Sequence, residues 1–244
     1  MYNEPRFMPV GDQALLMELG DDIEEGCNAC IKGMIELIEE VGVKGIIETI
    51  PSYRSILIYY DPFVTDFNET VDRLKKIYGR LDIKSVEKGD TVIIPVLYGG
   101  EVGPDLQFVA RYTGLTEEEV IDIHTSMDYL IYMLGFAPGF PYLGGIDERI
   151  QVPRLETPRE WIPAGSVGIA GRQTGIYTVD SPGGWRVIGL TPVKLYDPHR
   201  DIPVILRIGD YIRFRPVTVE EFDEIKKGVE SGTYYPEVLR GGAG

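Results

Sequence analysis

Between Tyr129 and Pro216 short apolar runs alternate with glycine and proline: YLIYMLG (129–135), SVGIAG (166–171), GIYTVD (175–180), WRVIGL (185–190), PVILRI (203–208) and YIRFRP (211–216). Each run has the length of a strand, and none shows the three-and-four-residue recurrence of a helix. Glycine and proline between them are turn formers. Short strands at this spacing predict a barrel or a sandwich, so the second half of the chain reads as mainly β.

Working outward, Thr91 to Leu97 adds a strong strand, followed by GGEVGPD and a polar helical region in which Thr116 and Glu119 have capping-box spacing. From Val219 the pattern is again helical, packing back on the barrel before a flexible GGAG tail. Upstream the texture differs. A first strand, Ala14 to Leu19, precedes an amphipathic helix carried by Ile23, Cys27, Ile31, Met34, Ile35, Ile38 and Val41, with Asp21 or Asp22 as its cap. Lys44 to Ile50 and Ser55 to Tyr60 read as paired strands, and Phe67, Val71, Leu74, Ile77 and Tyr78 as a second helix. These elements predict a small α+β domain over residues 1–88, a linker in KSVEKGD (84–90), and a β-barrel domain with a C-terminal helix over 89–244.

The composition excludes several classes. With 244 residues, 43% hydrophobic and 26% charged, the chain can bury a core without outside help. No apolar run is long enough for a membrane span and the start lacks signal-peptide character, so a soluble, cytoplasmic protein is expected. A net charge of -15 argues against nucleic acid and anionic membranes as partners. The charge is uneven, however: Arg149 to Arg215 holds ten Lys or Arg against six Asp or Glu, a net of +4, which leaves -19 for the rest. The lone CxxC of Cys27 and Cys30 lies in a helical pattern with no second pair, so it reads as core rather than as a metal or redox site, and no metal is expected.

Three loops carry the candidate site. GFAPGFPYLGG (135–145) sets Phe136, Phe140 and Tyr142 on a rigid glycine–proline frame, a natural wall for a small ligand or a cap on the barrel core. IPAGSVGIAGRQTG (162–175) places Gly165, Gly168, Gly171 and Gly175 around Ser166, Gln173 and Thr174, an arrangement that could aim backbone N–H groups at an anion or a carbonyl oxygen. AGSVG at 164–168 has the nucleophile-elbow spacing, and Asp180 or Asp197 with His199 would complete a triad order, but a strand-like continuation replaces the helix an elbow requires. SPGGW (181–185) contributes Ser181, Gly183, Gly184 and Trp185, and Arg154, Arg159, Arg172 and Arg186 lie in or beside the loops, each alone readable as a surface ion pair and together as a cluster suited to carboxylate or phosphate. His124, just upstream, reads as a structural hydrogen bonder or, as the one imidazole close in sequence to the loops, as a candidate acid or base, with Ser166 the other candidate catalytic residue.

HTSMDYLIYMLGFAPGFPYLGGI (124–146), PRLETPREWIPAGSVGIAGRQTGIY (153–177) and SPGGWRVIGLTPVKLYDPHRDIPVILRIGDYIRF (181–214) resemble the family of the kinase inhibitor KipI, also called allophanate hydrolase subunit 1, whose bacterial members include the B-type subunit of the ATP-dependent 5-oxoprolinase. GDQALLMELG, PSYRSILIYYDP and IPVLYGGEVGPDLQFVARYTGLTEEEVIDIHTS extend the resemblance over nearly the whole chain. The resemblance implies a cyclophilin-like barrel after the α+β domain, and a partner of the KipA, or allophanate hydrolase subunit 2, type. It also implies a third subunit in the 5-oxoprolinase, with ATP consumed by the complex. Alternative family roles are inhibition of a sensor histidine kinase and chemistry on a urea-derived substrate. Thr125 and Leu190 depart from the family's more usual Ser and Arg, which puts an anion contact at Leu190 in doubt.

Overall fold

The structure, a computed structural model, describes residues 1–22, 25–82 and 89–241. Ile23 of the expected first helix, residues 84–88 of the expected linker, and residues 242–244 of the tail lie outside them. Asp21 and Asp22, expected as the cap, form a bend ahead of that helix, which starts at Glu25. The chain divides into two compact units, Met1–Glu87 and Lys88–Gly244.

The first unit is a four-stranded antiparallel sheet with two helices. Its strands, β1 (Arg6–Val10), β2 (Ala14–Glu18), β3 (Ile46–Pro51) and β4 (Ser55–Tyr60), lie in the order β1-β2-β4-β3. The edge strand β1 was not legible in the sequence, because RFMPV is short, carries Pro9 and is largely exposed, so it shows no buried alternation. Helices α1 (Glu25–Val41) and α2 (Phe67–Tyr78) cover the sheet, with Leu15, Met17, Ile31, Met34, Ile56, Ile58 and Leu74 in one core. Asp66 caps α2 by accepting from the Glu69 N–H at 2.9 Å. Cys27 and Cys30 sit fully buried on α1; burial pushes the Cys30 thiol up to about 12, which keeps it protonated and unreactive.

The second unit is a closed seven-stranded barrel. Its strands are β5 (Thr91–Tyr98), β6 (Tyr129–Leu134), β7 (Pro141–Leu143), β9 (Ser166–Ala170), β10 (Gln173–Ile176), β12 (Arg186–Leu190) and β13 (Tyr211–Pro216), paired round the ring in the order β5-β12-β9-β10-β7-β6-β13. Closure depends on β5, which pairs antiparallel with β12 at one end and parallel with β13 along its length. A short β8 (Arg159–Ile162) pairs with β11 (Ser181–Gly183) beside the barrel, and β14 (Val238–Leu239) adds to β5. PVILRI, expected as a strand, makes only an isolated bridge from Val204 to Tyr196, because closure leaves it no neighbouring ladder. Helices α3 (Leu106–Thr113) and α4 (Glu117–Thr125) divide at Gly114, whose φ of 76° ends α3. Thr116 and Glu119 form the complete capping box, with N–H to side-chain distances of 3.1 and 2.8 Å. The last helix, α5 (Val219–Glu230), begins at the capping residue Thr218. No helix among the described residues is long and apolar enough to cross a membrane.

Candidate aromatic cleft

Alternation along β9 and β10 decides what faces where. Val167, Ile169 and Ile176 point into the barrel core, so Gly168 and Gly175, paired across the strands, face outward. Trp185 packs on that glycine pair: a Cβ at Gly175 would lie 3.0 Å from its six-membered ring, and one at Gly168 3.3 Å from the Trp185 Cβ. Around it gather Phe140, Ile162, Ala170, Tyr177 and Val187, a small core outside the barrel wall. Phe140 is the hub, making edge contacts with Phe136, Tyr142, Tyr177 and Trp185 at centroid distances of 5.2 to 5.7 Å.

This cluster opens into a cleft of about 360 Å³ lined by Phe136, Phe140, Tyr142, Arg154, Pro158, Tyr177, Pro182, Gly183, Gly184 and Trp185. Seven of the residues singled out in the sequence therefore meet in one place. Phe140 and Trp185 are buried in a cluster of their own rather than in the barrel core and form the floor, and Phe136 stands 71% exposed at the mouth. Phe136 has φ 63°, and the Ala137 N–H donates to the Gly135 carbonyl across it at 2.7 Å. That tight γ-turn is a strained conformation for a side chain of this size. Tyr177, which no motif flagged, is a wall residue; burial raises its phenol above the ordinary range, opposed by a hydrogen bond from the Trp185 backbone and by Arg154 and Arg159. Its hydroxyl explains Gly183, where a Cβ would lie only 2.3 Å away. The sequence signal for Tyr177 was its place after inward-facing Ile176, which turns it outward.

Other expectations need correction. His124 is fully buried, with Nδ1 2.8 Å from the Tyr98 hydroxyl and Nε2 2.8 Å from Thr174 Oγ1, and it stacks on Phe214 at 4.5 Å. Thr174 donates to the Gly168 carbonyl at 3.0 Å, so it accepts from a protonated Nε2, and Nδ1 accepts from Tyr98. Burial lowers the imidazole to about 3. A neutral ring with both nitrogens engaged has none left for substrate, so His124 and Thr174 form an internal strut rather than an acid–base or binding site.

Ser166 is likewise fully buried on β9, and among the described residues its Oγ has no hydrogen-bonding partner, a base included. The carboxylates that completed the triad order are used locally: Asp180 accepts from the Ala164 N–H and Asp197 from the His199 N–H. The glycine-rich segment is no anion nest, because its amides are spent on the β9–β10 hairpin and on Gly165 N–H to the Tyr177 carbonyl at 2.6 Å. Gly165, at φ 88°, lines a separate cavity of about 280 Å³, while Gln173 lies on β10 and Ser181 on β11, away from the cleft lining.

The arginines also separate. Arg159 donates through both terminal nitrogens to Asp105, at 2.8 and 2.9 Å, so the carboxylate it recognises is the protein's own. Arg186 stacks over Phe108 at 3.6 Å and approaches Asp105 at 3.9 Å. Arg172 is exposed at the hairpin turn. Arg154 alone of the four lines the cleft, with an exposed guanidinium. Among the described residues no group of three or more His, Cys, Asp or Glu gathers as metal ligands.

The chain is 42% identical to the 5-oxoprolinase B subunit of Bacillus subtilis (strain 168), over 89% of this chain and 95% of that protein. It is 38% identical to the subunit of the same name from Escherichia coli O157:H7, over 85% and 94%. Among solved structures, TTHA0988 matches with TM-score 0.75 and 35% identity over 85% of this chain, which spans 40% of that longer chain. The Kluyveromyces lactis urea carboxylase matches in fold with TM-score 0.75 at 22% identity, over 96% of this chain and 24% of that protein. The model of the carboxyltransferase domain, subdomain C and D, matches residues 5–206, and the chain belongs to that family.

Proposed function

We propose that this chain is the B-type subunit of an ATP-dependent 5-oxoprolinase, opening 5-oxoproline to glutamate with a KipA-type partner and a third subunit in the cytoplasm. Relatives that carry the name of the 5-oxoprolinase B subunit match it nearly end to end. The observation that carries the reading is the cleft, aromatic on its floor and walls with one exposed arginine. A five-membered lactam carrying a carboxylate is a compact plate, part methylene and part polar amide, with an anionic edge. Phe140, Tyr142 and Trp185 suit the plate, and the Arg154 guanidinium suits the carboxylate. That the barrel is cyclophilin-like rests on the sequence resemblance.

The lactam amide is inert, and phosphorylation of its carbonyl oxygen by ATP would open the carbon to water, releasing phosphate and the ring nitrogen as an amine. Among the described residues no carboxylate, imidazole or thiol lines the cleft to take the proton of that water. The chain therefore supplies binding and orientation, and its partner supplies the proton-transferring groups, which makes this subunit inactive alone. Nothing in the geometry favours the histidine-kinase reading. The test is to combine the purified chain with its partner subunits and measure ADP release. Release that depends on 5-oxoproline and on this chain supports the proposal, and its absence overturns it.

A further inference from the structure

Between β12 and β13 the chain makes a loop whose base is tied by the Tyr196–Val204 bridge and by the Asp197 N–H, which donates to the Pro203 carbonyl at 2.9 Å. Inside it the Asp197 carboxylate accepts from the His199 N–H at 3.0 Å, and Arg200 follows. The Arg200 side chain folds back on the chain ahead of the loop, its Nη2 donating to the Lys194 carbonyl at 2.7 Å. That contact fixes the guanidinium at one end. Its Nε is buried and has no hydrogen-bonding partner among the described residues. Neither Arg200 nor Lys194 has an ion-pair partner within 4.0 Å among them.

Arg200 lines a cavity of about 370 Å³ formed by this loop with the end of α5 and the segment after it. A buried donor of a charged group is costly to leave unmet. One water, about 30 Å³ in the liquid, would meet one donor, and the cavity is far larger than that. Its lining carries both signs of charge. Lys194 and Arg200 come from the loop, while Glu230 stands at the C-terminus of α5, where the helix carbonyls add negative character. Asp197 is the second acid; the His199 N–H holds its carboxyl below the usual range, against burial, with Arg200 and Lys194 adding to the effect. Val193, Ile205 and Tyr234 supply apolar surface among these charges. A simple anion would meet Asp197, Glu230 and the helix end, and a simple cation would meet Lys194 and Arg200. A zwitterion with an apolar body suits both signs and leaves no charge unpaired.

We propose that this cavity binds a free amino acid with an apolar side chain, its carboxylate on the Arg200 Nε–H, its ammonium toward Asp197 and Glu230, and its side chain over Val193, Ile205 and Tyr234. A guanidinium N–H is a charge-assisted donor of the kind a carboxylate accepts. The site shares no lining residue with the aromatic cleft and does not depend on the lactam reading.

The test uses the full chain with L-leucine as the probe, read by the Arg200 Nε–H resonance in proton–nitrogen correlation spectra, assigned through bonds from the Arg200 backbone. Saturable binding that moves this resonance downfield supports the site. Isocaproate, which lacks the ammonium, and isoamylamine, which lacks the carboxylate, should each bind about tenfold more weakly. Arg200→Lys keeps the charge and loses the Nε–H, and should weaken leucine about tenfold. Lys227→Gln, on α5 but outside the lining, should change it less than about twofold. The proposal is overturned if leucine leaves the resonance unmoved, if isocaproate or isoamylamine binds as tightly as leucine, or if Lys227→Gln weakens binding as much as Arg200→Lys. The comparison of the three probes is made on the unaltered chain, so it decides the outcome even where Arg200→Lys unsettles the loop.

Discussion

Arg159 and Asp105, 54 residues apart, meet as a two-pronged ion pair at 2.8 and 2.9 Å that ties β8 to the start of α3. Asp105 also accepts from the Val187 N–H at 2.7 Å, so one carboxylate holds α3, β8 and β12 together. Removing it as Asp105→Ala strands a half-buried guanidinium and a buried N–H. Breaking a fully buried pair costs about 3–5 kcal/mol, and the partial exposure of Arg159 lowers this, so a loss of about 2 kcal/mol is expected in urea denaturation. A change within about 0.5 kcal/mol would show that the pair does not hold the barrel.

Gly175→Ala tests the floor of the cleft. Its Cβ would press on Trp185 and on the Pro141 carbonyl, both 3.0 Å away, with no flexible end to yield. Overpacking of this kind costs about 1–3 kcal/mol, and it should move Trp185 into a wetter position. Because Trp161 is already exposed, a red shift of tryptophan emission reports Trp185.

Arg154→Gln separates binding from folding. The side chain is exposed, so stability should change by less than about 0.5 kcal/mol. In the assembled enzyme KM for 5-oxoproline should rise about tenfold or more. Arg159→Gln should show the reverse pattern, a clear loss of stability. Equal effects on KM would remove the distinction drawn between the two arginines.

Phe136→Gly is expected to gain stability while losing function. Glycine adopts φ 63° without strain, worth about 1 kcal/mol, yet the variant loses the ring at the mouth of the cleft. A large drop in melting temperature would show that Phe136 packs for stability.

His124 gives the unit a pH dependence. Folded, it protonates near 3; unfolded, near its ordinary 6.5. Between these values the unfolded chain binds the extra proton, so stability is full above pH 6.5 and falls as the pH drops toward 3, by about 1.4 kcal/mol per unit. His124→Gln should flatten this slope in denaturation at about pH 4 to 7, at some cost in stability at neutral pH. An unchanged slope would mean that other groups carry it.

Much of the fold was legible because its signals are local. The capping box at Thr116 and Glu119, the spacing of α2 and the apolar runs of β9, β12 and β13 each need only near neighbours along the chain. PVILRI had the same texture and still failed, since a strand exists only where another offers its hydrogen bonds.

By itself, the sequence determined that aromatic and glycine-rich loops around 135–185 hang from a mainly β unit, because turn chemistry and side-chain alternation act over a few residues. Only the tertiary structure decided what each loop residue does. Barrel closure brings β5 against β12 and β13, and with that Asp105 claims Arg159, Thr174 claims His124, and Arg154 is left at the cleft. In the sequence Arg154 and Arg159 are alike. Whether a charged side chain faces a ligand or its own protein is set by partners brought near through long-range pairing, and spacing along the chain carries no record of them.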